Sequence, residues 1–470
     1  MSLHRKHFPP ATAIALAVAL ALSGCSSAPP LKLYQPELTA GFANAPDAAA
    51  AEPVSEFWRA FNDPLLDALV QRALQANTDV RSAAASLREA RALNRYADAN
   101  LLPNVGVNAG VSRVRGTNDL GVQSTNNQYA VGFDVAWEAD LFGRLGDARR
   151  AAQANVLAGA AGVRATQVSI SAEVARNYFE LRGLQEQLRV AVASLDTQKA
   201  ALELVDARFD VGRGTALDTE RARALVTSTA ANIPALEAAL IRTRYRLAVL
   251  CGQQPTALDA ELTPVRPLPG LKSVALGGIG SPSAMLRRRP DIQLAEAQAA
   301  AAAAQVGVAR SALFPQLTLG GTLGQNALQF GDLGKGASYV YNLGAQLTWN
   351  LLDFGRIRAQ IAAADARNEA VMIAYERAVL GALEETEGVL ASYTRTQRQT
   401  ELLFESARSS EQAAIIARER FAVGSTDFLT VLDAERELLT ARDRLAQSQT
   451  GAATSLVAVY KALAGGWEVP

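Results

Sequence analysis

Few residues in this 470-residue chain could carry out covalent chemistry. It holds two histidines, His4 and His7, and two cysteines, Cys25 and Cys251. Imidazole is the commonest general base and metal ligand, and thiolate the commonest soft nucleophile. Both histidines sit in His4-Arg5-Lys6-His7, a basic start followed by the apolar run Ala11 to Leu22, which is too short to span a bilayer. Charge followed by a short apolar core is the pattern of a secretory leader, and its removal takes both imidazoles with it. A chain without His builds no Ser-His-Asp site, no Cys-His site and no His-ligated metal centre. Cys251, in "LAVLCGQQP" at an expected helix end, reads as a small buried hydrophobe. No enzyme activity, cofactor or metal site is expected.

The thiol whose neighbours suggest a reaction is Cys25. "LSGC", Leu22 to Cys25, resembles the cleavage box of bacterial lipoprotein signals, in which small residues admit a peptidase. Cys25 would then take diacylglycerol, with palmitate-type acylation, and become the mature N-terminus. Ser26 follows it where inner-membrane lipoproteins commonly carry Asp, so outer-membrane sorting is expected. Loss of residues 1–24 removes Arg5 and Lys6 and leaves 44 basic against 46 acidic side chains. That balance gives no case for nucleic acid or an anionic surface.

The elements that carry the remaining candidate residues come in two copies. "WEADLFGR" (Trp137 to Arg144) returns as "WNLLDFGR" (Trp349 to Arg356), an offset of 212 that also relates Asp79-Val80 to Asp291-Ile292. "RFDVG" at Arg208 matches "RFAVG" at Arg420, after which "LDTER" at Leu217 matches "LDAER" at Leu432, an offset of 215. Each copy reads helix, two-stranded hairpin, very long helix, turn, helix. The expected boundaries are repeat 1 at 63–250, with hairpin 102–140, long helix 144–211 and return helix 217–250. Repeat 2 spans 284–464, with hairpin 315–352, long helix 356–423 and return helix 428–464. Residues 25–62 lead in, the Pro- and Gly-rich 251–283 joins the copies, and 465–470 forms a tail.

From Tyr129 to Trp137 the odd positions are Tyr, Val, Phe, Val and Trp, and the even ones are Ala130, Gly132, Asp134 and Ala136. Tyr339 to Leu351 alternates likewise. Such alternation fits a soluble sandwich or a membrane barrel. The aromatic brackets Tyr129/Trp137 and Tyr339/Trp349 favour the barrel: at about 3.3 Å per residue and a tilt near 40°, the strands cover roughly the 25 Å apolar band of an outer-membrane barrel. The opposite face is polar and small, as a wet lumen would be. Four strands cannot close a membrane barrel alone, so the barrel must be shared between chains.

Arg144 to Val211 contains no Pro and could run about 100 Å as a helix. Val174, Leu181, Leu188, Leu195, Leu202 and Phe209 fall seven apart, a coiled-coil seam. The second copy has a weaker seam through Ala407, Ala414 and Phe421. Gly212 and Gly424 stop the long helices, and Pro234 and Gly451 are expected to kink or interrupt the return helices. Gly143-Arg144 and Gly355-Arg356 mark the strand-to-helix junctions, where Gly eases the turn from flat strand to curved wall and both arginines are expected to be structural. The two junctions are similar without being interchangeable, because Asp140 and Asp353 stand one place apart relative to them.

Several stretches together resemble one family. They are "EFWRAFNDPLLDALVQRALQAN" at Glu56, "RRRPDIQLAEAQAAAAAAQVGVARSALFPQLTL" at Arg287, the two "FGR" junctions, "VGSTDFLTVLDAER" at Val423 and "YKALAGGW" at Tyr460. The chain resembles TolC-like outer-membrane efflux proteins, specifically the lipoprotein branch serving resistance-nodulation-division (RND) pumps. The resemblance implies a mostly α chain with a membrane β-barrel segment. It implies a homotrimer whose twelve strands close one barrel, a long α-helical barrel through the periplasm, and an equatorial belt that includes 251–283. It implies a duct without covalent chemistry, partnered by a periplasmic adaptor and an inner-membrane RND transporter, exporting small toxic compounds and conferring antibiotic resistance. It places the periplasmic gate at Leu429 and Asp433, a ring of carboxylates favouring cations, with Thr430 where some relatives carry a second acid. Thr430-x-x-Asp433 also has capping-box spacing, and Thr215-x-x-Asp218 has it immediately after a turn, so Asp218 reads as a cap that could also touch the neighbouring hairpin. A type I secretion duct and a non-conducting coiled-coil envelope lipoprotein are the alternatives.

Overall fold

A computed structural model describes residues 28–45, 56–117, 121, 123–268 and 278–463; Cys25 and the C-terminal Gly-Gly-Trp lie outside them. The elements are α1 (Pro64–Ala76), α2 (Thr78–Ala99), β1 (Asn104–Thr117), β2 (Gln123–Ala139), α3 (Arg144–Asp210) and α4 (Ala216–Leu250). After the short α5 (Asp259–Leu262) and α6 (Pro282–Arg288) come α7 (Pro290–Ser311), β3 (Gln316–Ala327), β4 (Tyr339–Thr348), α8 (Arg356–Ala422) and α9 (Phe428–Ala462).

The 212-residue offset holds without a break. The helices α2 and α7 are both 22 residues long, α3 and α8 both 67, and α4 and α9 both 35, each pair starting 212 apart. The "LDTER" and "LDAER" match at 215 is therefore three residues out of structural register. The equivalent of Leu429 is Leu217, and that of Asp433 is Arg221. Neither Pro234 nor Gly451 interrupts its helix; buried Leu225 and Thr229 before Pro234, and Leu240 and Leu247 after it, hold both halves of α4 to their neighbours.

Compactness divides the chain across the repeats rather than between them. One unit (residues 1–34, 86–160 and 294–376) takes the four strands with the adjoining helix ends. Its sheet is antiparallel in the order β1-β2-β3-β4, so β2 and β3 join the two hairpins. The other unit (35–85, 161–293 and 377–470) takes the remaining helix. Its main core gathers Phe57, Trp58 and Phe61 with Tyr178, Phe179, Leu247, Leu390 and Tyr460. Phe57 stacks on Tyr460 with centroids 5.3 Å apart, and Phe61 meets Phe179 at 4.7 Å. Asp63 starts α1 by accepting from Leu65 N at 2.9 Å and also accepts from the Tyr178 hydroxyl. Burial, helped by the Asp63 carboxylate, pushes that phenol up to about 12. The inter-repeat segment packs on α3: buried Arg182 donates to Pro264 O at 2.9 Å and Gln185 to Leu262 O at 3.0 Å. A second, smaller core near Gly212 and Gly424 joins Val205, Leu225, Ala417, Phe421, Phe428 and Val431.

The coiled-coil seam is largely buried, with Val174, Leu181 and Leu195 in α3 and Ala407, Ala414 and Phe421 in α8. Its last member in α3 is the exception. Phe209 stands 45% exposed, where its equivalent Phe421 is 9% exposed.

Candidate functional site: the strand wall and the helical tip

In the strand unit, register puts Val105 opposite Val135, Val107 opposite Phe133 and Val111 opposite Tyr129, all on one face. Trp137 lies opposite Leu319, Phe133 opposite Leu323, and Leu323 opposite Tyr341, continuing that face across all four strands. Val107, Val111, Phe133, Leu323, Tyr341 and Leu343 are exposed on it. The other face carries Gly106, Asp134, Thr322 and Asn342 in one row and Asn108, Gly132 and Gly324 in the next. An extended apolar sheet face left exposed by the described residues fits a membrane face, and the small polar face behind it a water-facing wall.

The aromatic residues expected to bracket the band divide into two kinds. Trp137 Nε1 donates to Leu101 O at 2.9 Å, and Trp349 Nε1 to Leu313 O at 3.0 Å, the same bond in each repeat. Each ring thus has its polar atom satisfied, with Trp137 half-buried and Trp349 exposed, the disposition of an interfacial tryptophan. At the far end Tyr129 meets Phe330 edge-to-face at 5.8 Å, and Tyr339 is exposed. By the 212 offset the equivalent of Tyr129 is Tyr341, two residues beyond Tyr339.

The junctions explain the displaced aspartates. Gly143 (φ 75°) and Gly355 (φ 88°) both adopt the left-handed region before their long helices. Asp140 Oδ2 accepts from Gly146 N at 2.7 Å, whereas Asp353 accepts from Gly355 N at 3.1 Å and Ile357 N at 2.5 Å. Both carboxylates satisfy orphan N–H groups in a first helical turn and face the positive end of the helix dipole. The one-place shift changes the route, not the task. The backbone N–H donors of Ile357 and Gly355 hold the Asp353 carboxyl below its ordinary range. In repeat 2 the tighter route puts Phe354 itself at φ 54°, a left-handed non-glycine residue that no local pattern of residue types announces. The arginines differ too: Arg144 Nε and Nη2 fork onto Glu138 at 2.8 and 2.5 Å, while Arg356 Nε donates to Asp353 O at 3.0 Å.

At the tip of the helical unit, Gly212 (φ 77°) and Gly424 (φ 76°) terminate α3 and α8. Gly212 N donates to Phe209 O at 2.9 Å and Arg213 N to Arg208 O at 2.8 Å; Gly424 and Ser425 repeat the pattern on Phe421 and Arg420 at 2.9 Å each. This is a Schellman stop, and it needs the positive φ that Gly supplies. Thr215 caps α4: its Oγ1 accepts from Asp218 N at 3.2 Å and donates to Asp218 Oδ2 at 2.7 Å. The cap of α9 is Asp427, which accepts from Thr430 N at 3.1 Å and Thr430 Oγ1 at 2.5 Å. Thr430's hydroxyl and N–H pull the Asp427 carboxyl below its ordinary range. Capping at α9 therefore belongs to Asp427-x-x-Thr430, not to Thr430-x-x-Asp433.

Asp433 is thereby left free of the cap. It stands exposed one helical turn beyond Leu429, itself 39% exposed, while Val431, Leu432 and Glu435 turn inward. Glu435 is buried with Arg418 Nη1 3.2 Å away, and burial raises its carboxyl above the ordinary range. The tip thus presents an exposed Leu and Asp on one stripe of α9, just past the glycine stop that ends α8.

The family model described as outer membrane efflux protein matches residues 69–253 and again 281–465. The chain belongs to that family. It is 34% identical over 468 residues to the pyoverdine export outer membrane protein OpmQ of Pseudomonas aeruginosa, covering 96% of each chain. It is 30% identical to the toluene efflux pump outer membrane protein TtgF of Pseudomonas putida, covering 97% of each. The solved outer-membrane channel OprN superposes with a TM-score of 0.87 at 37% identity, over 94% of this chain and 100% of that one. The chain is accordingly the outer-membrane channel component of an efflux pump, and its repeated architecture is that of TolC-like channels.

Proposed function

We propose that the chain works as a homotrimer whose twelve strands close one outer-membrane barrel, the exit duct of a tripartite pump that exports small toxic compounds. The observation that carries this reading is the uncovered apolar face on a sheet with two free edges. The outer edges of β1 and β4 pair with no strand among the described residues, and an open edge in hydrocarbon costs several kcal/mol per unsatisfied group. Three copies bring the strand number to one that encloses a channel. A periplasmic adaptor and an inner-membrane transporter of the RND class complete the pump, and repeats 63–250 and 284–464, joined by the belt at 251–283, form the wall. Relatives named for pyoverdine and toluene export support cargo of small organic molecules. Purified protein in a planar bilayer is expected to pass current; silence under conditions that open relatives would overturn the duct.

Leu429 and Asp433 narrow the periplasmic end, three copies of each, and the Schellman stops at Gly212 and Gly424 let the tips close and dilate. An exposed carboxylate ring favours cations. The equivalent place in repeat 1 holds Arg221, so the two repeats put opposite charge at one position. Asp433→Ala is expected to raise single-channel conductance and weaken cation preference, and unchanged current and reversal potential would remove Asp433 from the constriction.

Cys25 anchors the mature chain to lipid. Intact-mass measurement should find the mature protein heavier by its acyl chains, and Cys25→Ser should lose both that mass and the processing; an unmodified Cys25 in the mature chain would overturn the anchor.

A further inference from the structure

Positive charge on the apolar sheet face is confined to one end of it. The four strands hold four charged residues, Arg113, Arg115, Asp134 and Glu138. Asp134 and Glu138 stand at even positions of β2, on the polar face, and Glu138 is forked by Arg144. Both arginines fall on the apolar face, in alternation with Val105, Val107 and Val111. Asn127, opposite Arg113, lies ten residues from Trp137 along β2. At about 3.3 Å per residue and a tilt near 40° that is roughly 25 Å, the full height of an outer-membrane apolar band, and Arg115 stands about 5 Å further.

β1 and β2 outrun the rest of the sheet at this end. The ladder of β2 with β3 stops at Tyr129 and Ala327, while β1 and β2 stay paired from Ser112 opposite Gln128 to Thr117 opposite Gln123. On the ribbon so formed Arg113 and Arg115 are exposed. Arg115 Nη2 donates to the neutral Gln123 Oε1 at 2.8 Å, Arg113 meets no acceptor among the described residues, and no described carboxylate reaches either guanidinium. Repeat 2 carries Gln325 and Ala327 at the equivalent positions. Its own cation at this end, Lys335, is held by Asp332 at 2.6 Å. The hairpin fold therefore does not require the two charges.

We propose that Arg113 and Arg115 bind a phosphate monoester of the glycolipid that forms the outer leaflet of an outer membrane, one molecule per chain. This rests on the membrane-face reading and gives that face a ligand. With the strand-to-helix junctions on the periplasmic side, the ribbon end lies at the outer surface. Residues two apart on a strand stand about 6.6 Å from each other, so both guanidiniums can fork onto one phosphate. A phosphate monoester carries about −1.5 to −2 near neutral pH, which matches the two positive charges. The side-chain amides of Gln123 and Asn127, on the same face, offer neutral donors to the sugar beside it. Below the arginines the acyl chains lie on Val111, Tyr129 and Val107, so head and tail contacts are continuous. A zwitterionic head group would bring its own cation to the pair, and free phosphate lacks the tails that hold it there.

The test uses the full chain in nanodiscs of phosphatidylcholine doped with bis-phosphorylated lipid A, with bound lipid counted by native mass spectrometry. About one lipid A per chain is expected to stay bound after divalent cations are chelated, because guanidiniums take the place of the bridging metal ions. Arg113→Gln with Arg115→Gln should bind lipid A at least about tenfold more weakly, the loss of one charge-assisted contact or more. Lys335→Gln, which removes another cation at the same end, should bind it as the unaltered chain does. Lipid A stripped of its phosphates but keeping its acyl chains should bind the unaltered chain as weakly as intact lipid A binds the double variant. That arm needs no substitution and decides the question even where the double variant folds poorly. Excess inorganic phosphate should fail to displace the lipid. Equal retention of intact and stripped lipid A, an equal loss in Lys335→Gln, or displacement by inorganic phosphate would each overturn the site and leave the membrane face standing. Protein that fails to insert and holds neither lipid would overturn the membrane face itself.

Discussion

Gly324→Ala is expected to abolish folded protein in the outer membrane, whereas Gly320→Ala in the same strand should be tolerated. Gly324 and Gly132 face each other where β3 meets β2. A Cβ on Gly324 would stand 2.5 Å from Val131 O and 2.8 Å from Gly132 Cα, and both obstacles are backbone atoms. They can give way only by parting the strands that hold the two hairpins in one sheet. Parted strands leave N–H and C=O groups unpaired in hydrocarbon, each at a cost of several kcal/mol, against a total stability of about 5–15 kcal/mol. A Cβ on Gly320 would meet nothing closer than Val135 O at 3.5 Å, an ordinary contact, on the same polar face. The pair separates close approach from glycine content or face. The measurement is the amount of heat-modifiable, outer-membrane-inserted protein for each variant. Similar yields for the two would mean that the β2–β3 ladder does not limit folding.

The same close approach shows what a sequence discloses and what it withholds. The alternation in Tyr129 to Trp137, the Pro-free runs and the stops at Gly212 and Gly424 are legible because each is a pattern in residue type dictated by local geometry. Pairing of β2 with β3 is not, since nothing local says that Gly132 needs another glycine opposite. The return helices mislead for a related reason. Thr215 and Asp427 do one job, accepting from the third N–H of a helix, with different letters, while Leu-Asp-x-Glu-Arg recurs three residues out of register, with Leu217 and Glu220 exposed where Leu432 and Glu435 are buried. Matching letters moved Asp433 onto Asp218 and hid its equivalence to Arg221. Arg208, whose Nη2 donates to Phe421 O at 2.9 Å and Ala422 O at 3.0 Å, escaped notice because its acceptors are backbone carbonyls, which every residue has. The junction aspartates show the converse, since two positions that differ in sequence converge on one electrostatic task.

Arg289 is the residue whose loss should most destabilise the helical unit. The Arg-Pro-Asp-Ile segment reads as a family signature, and the structure gives its physical cause. Arg289 is buried and spends its guanidinium on three elements: Nη2 donates to Asp291 Oδ2 and Glu385 Oε2 at 2.7 Å each, and Nη1 to Ala462 O at 2.8 Å. Its equivalent Asn77 makes the matching bond to Leu250 O at 3.0 Å, so both repeats tie the start of a helix to the end of their return helix. Only in repeat 2 is the tie charged, and Lys461 Nζ, 3.1 Å from Glu385 Oε1, extends it. Arg289→Met keeps the apolar stem but strands Glu385 beside one partly exposed lysine and leaves the Ala462 carbonyl bare. Removing one partner of a fully buried pair costs about 3–5 kcal/mol, and with Glu385 32% exposed the cost here is expected to fall below that range. Arg289→Lys should recover little, because an ammonium cannot fork to both carboxylates and a carbonyl at once. Burial pushes the Glu385 carboxyl up, but the Arg289 hydrogen bond and charge, with those of Lys461, outweigh it and hold the group below its ordinary value. A depressed folded-state pKa contributes stability that is present above the unfolded value, about 4.3, and is lost as pH falls through the folded one. Without Arg289 burial prevails, Glu385 takes up a proton more readily, and its protonation relieves the stranded charge. The deficit in denaturation midpoint of Arg289→Met is therefore expected to be largest near neutral pH and to shrink below about pH 4 as Glu385 is neutralised in both proteins. A deficit of constant size across that range would assign the loss to packing of the side chain rather than to its charge.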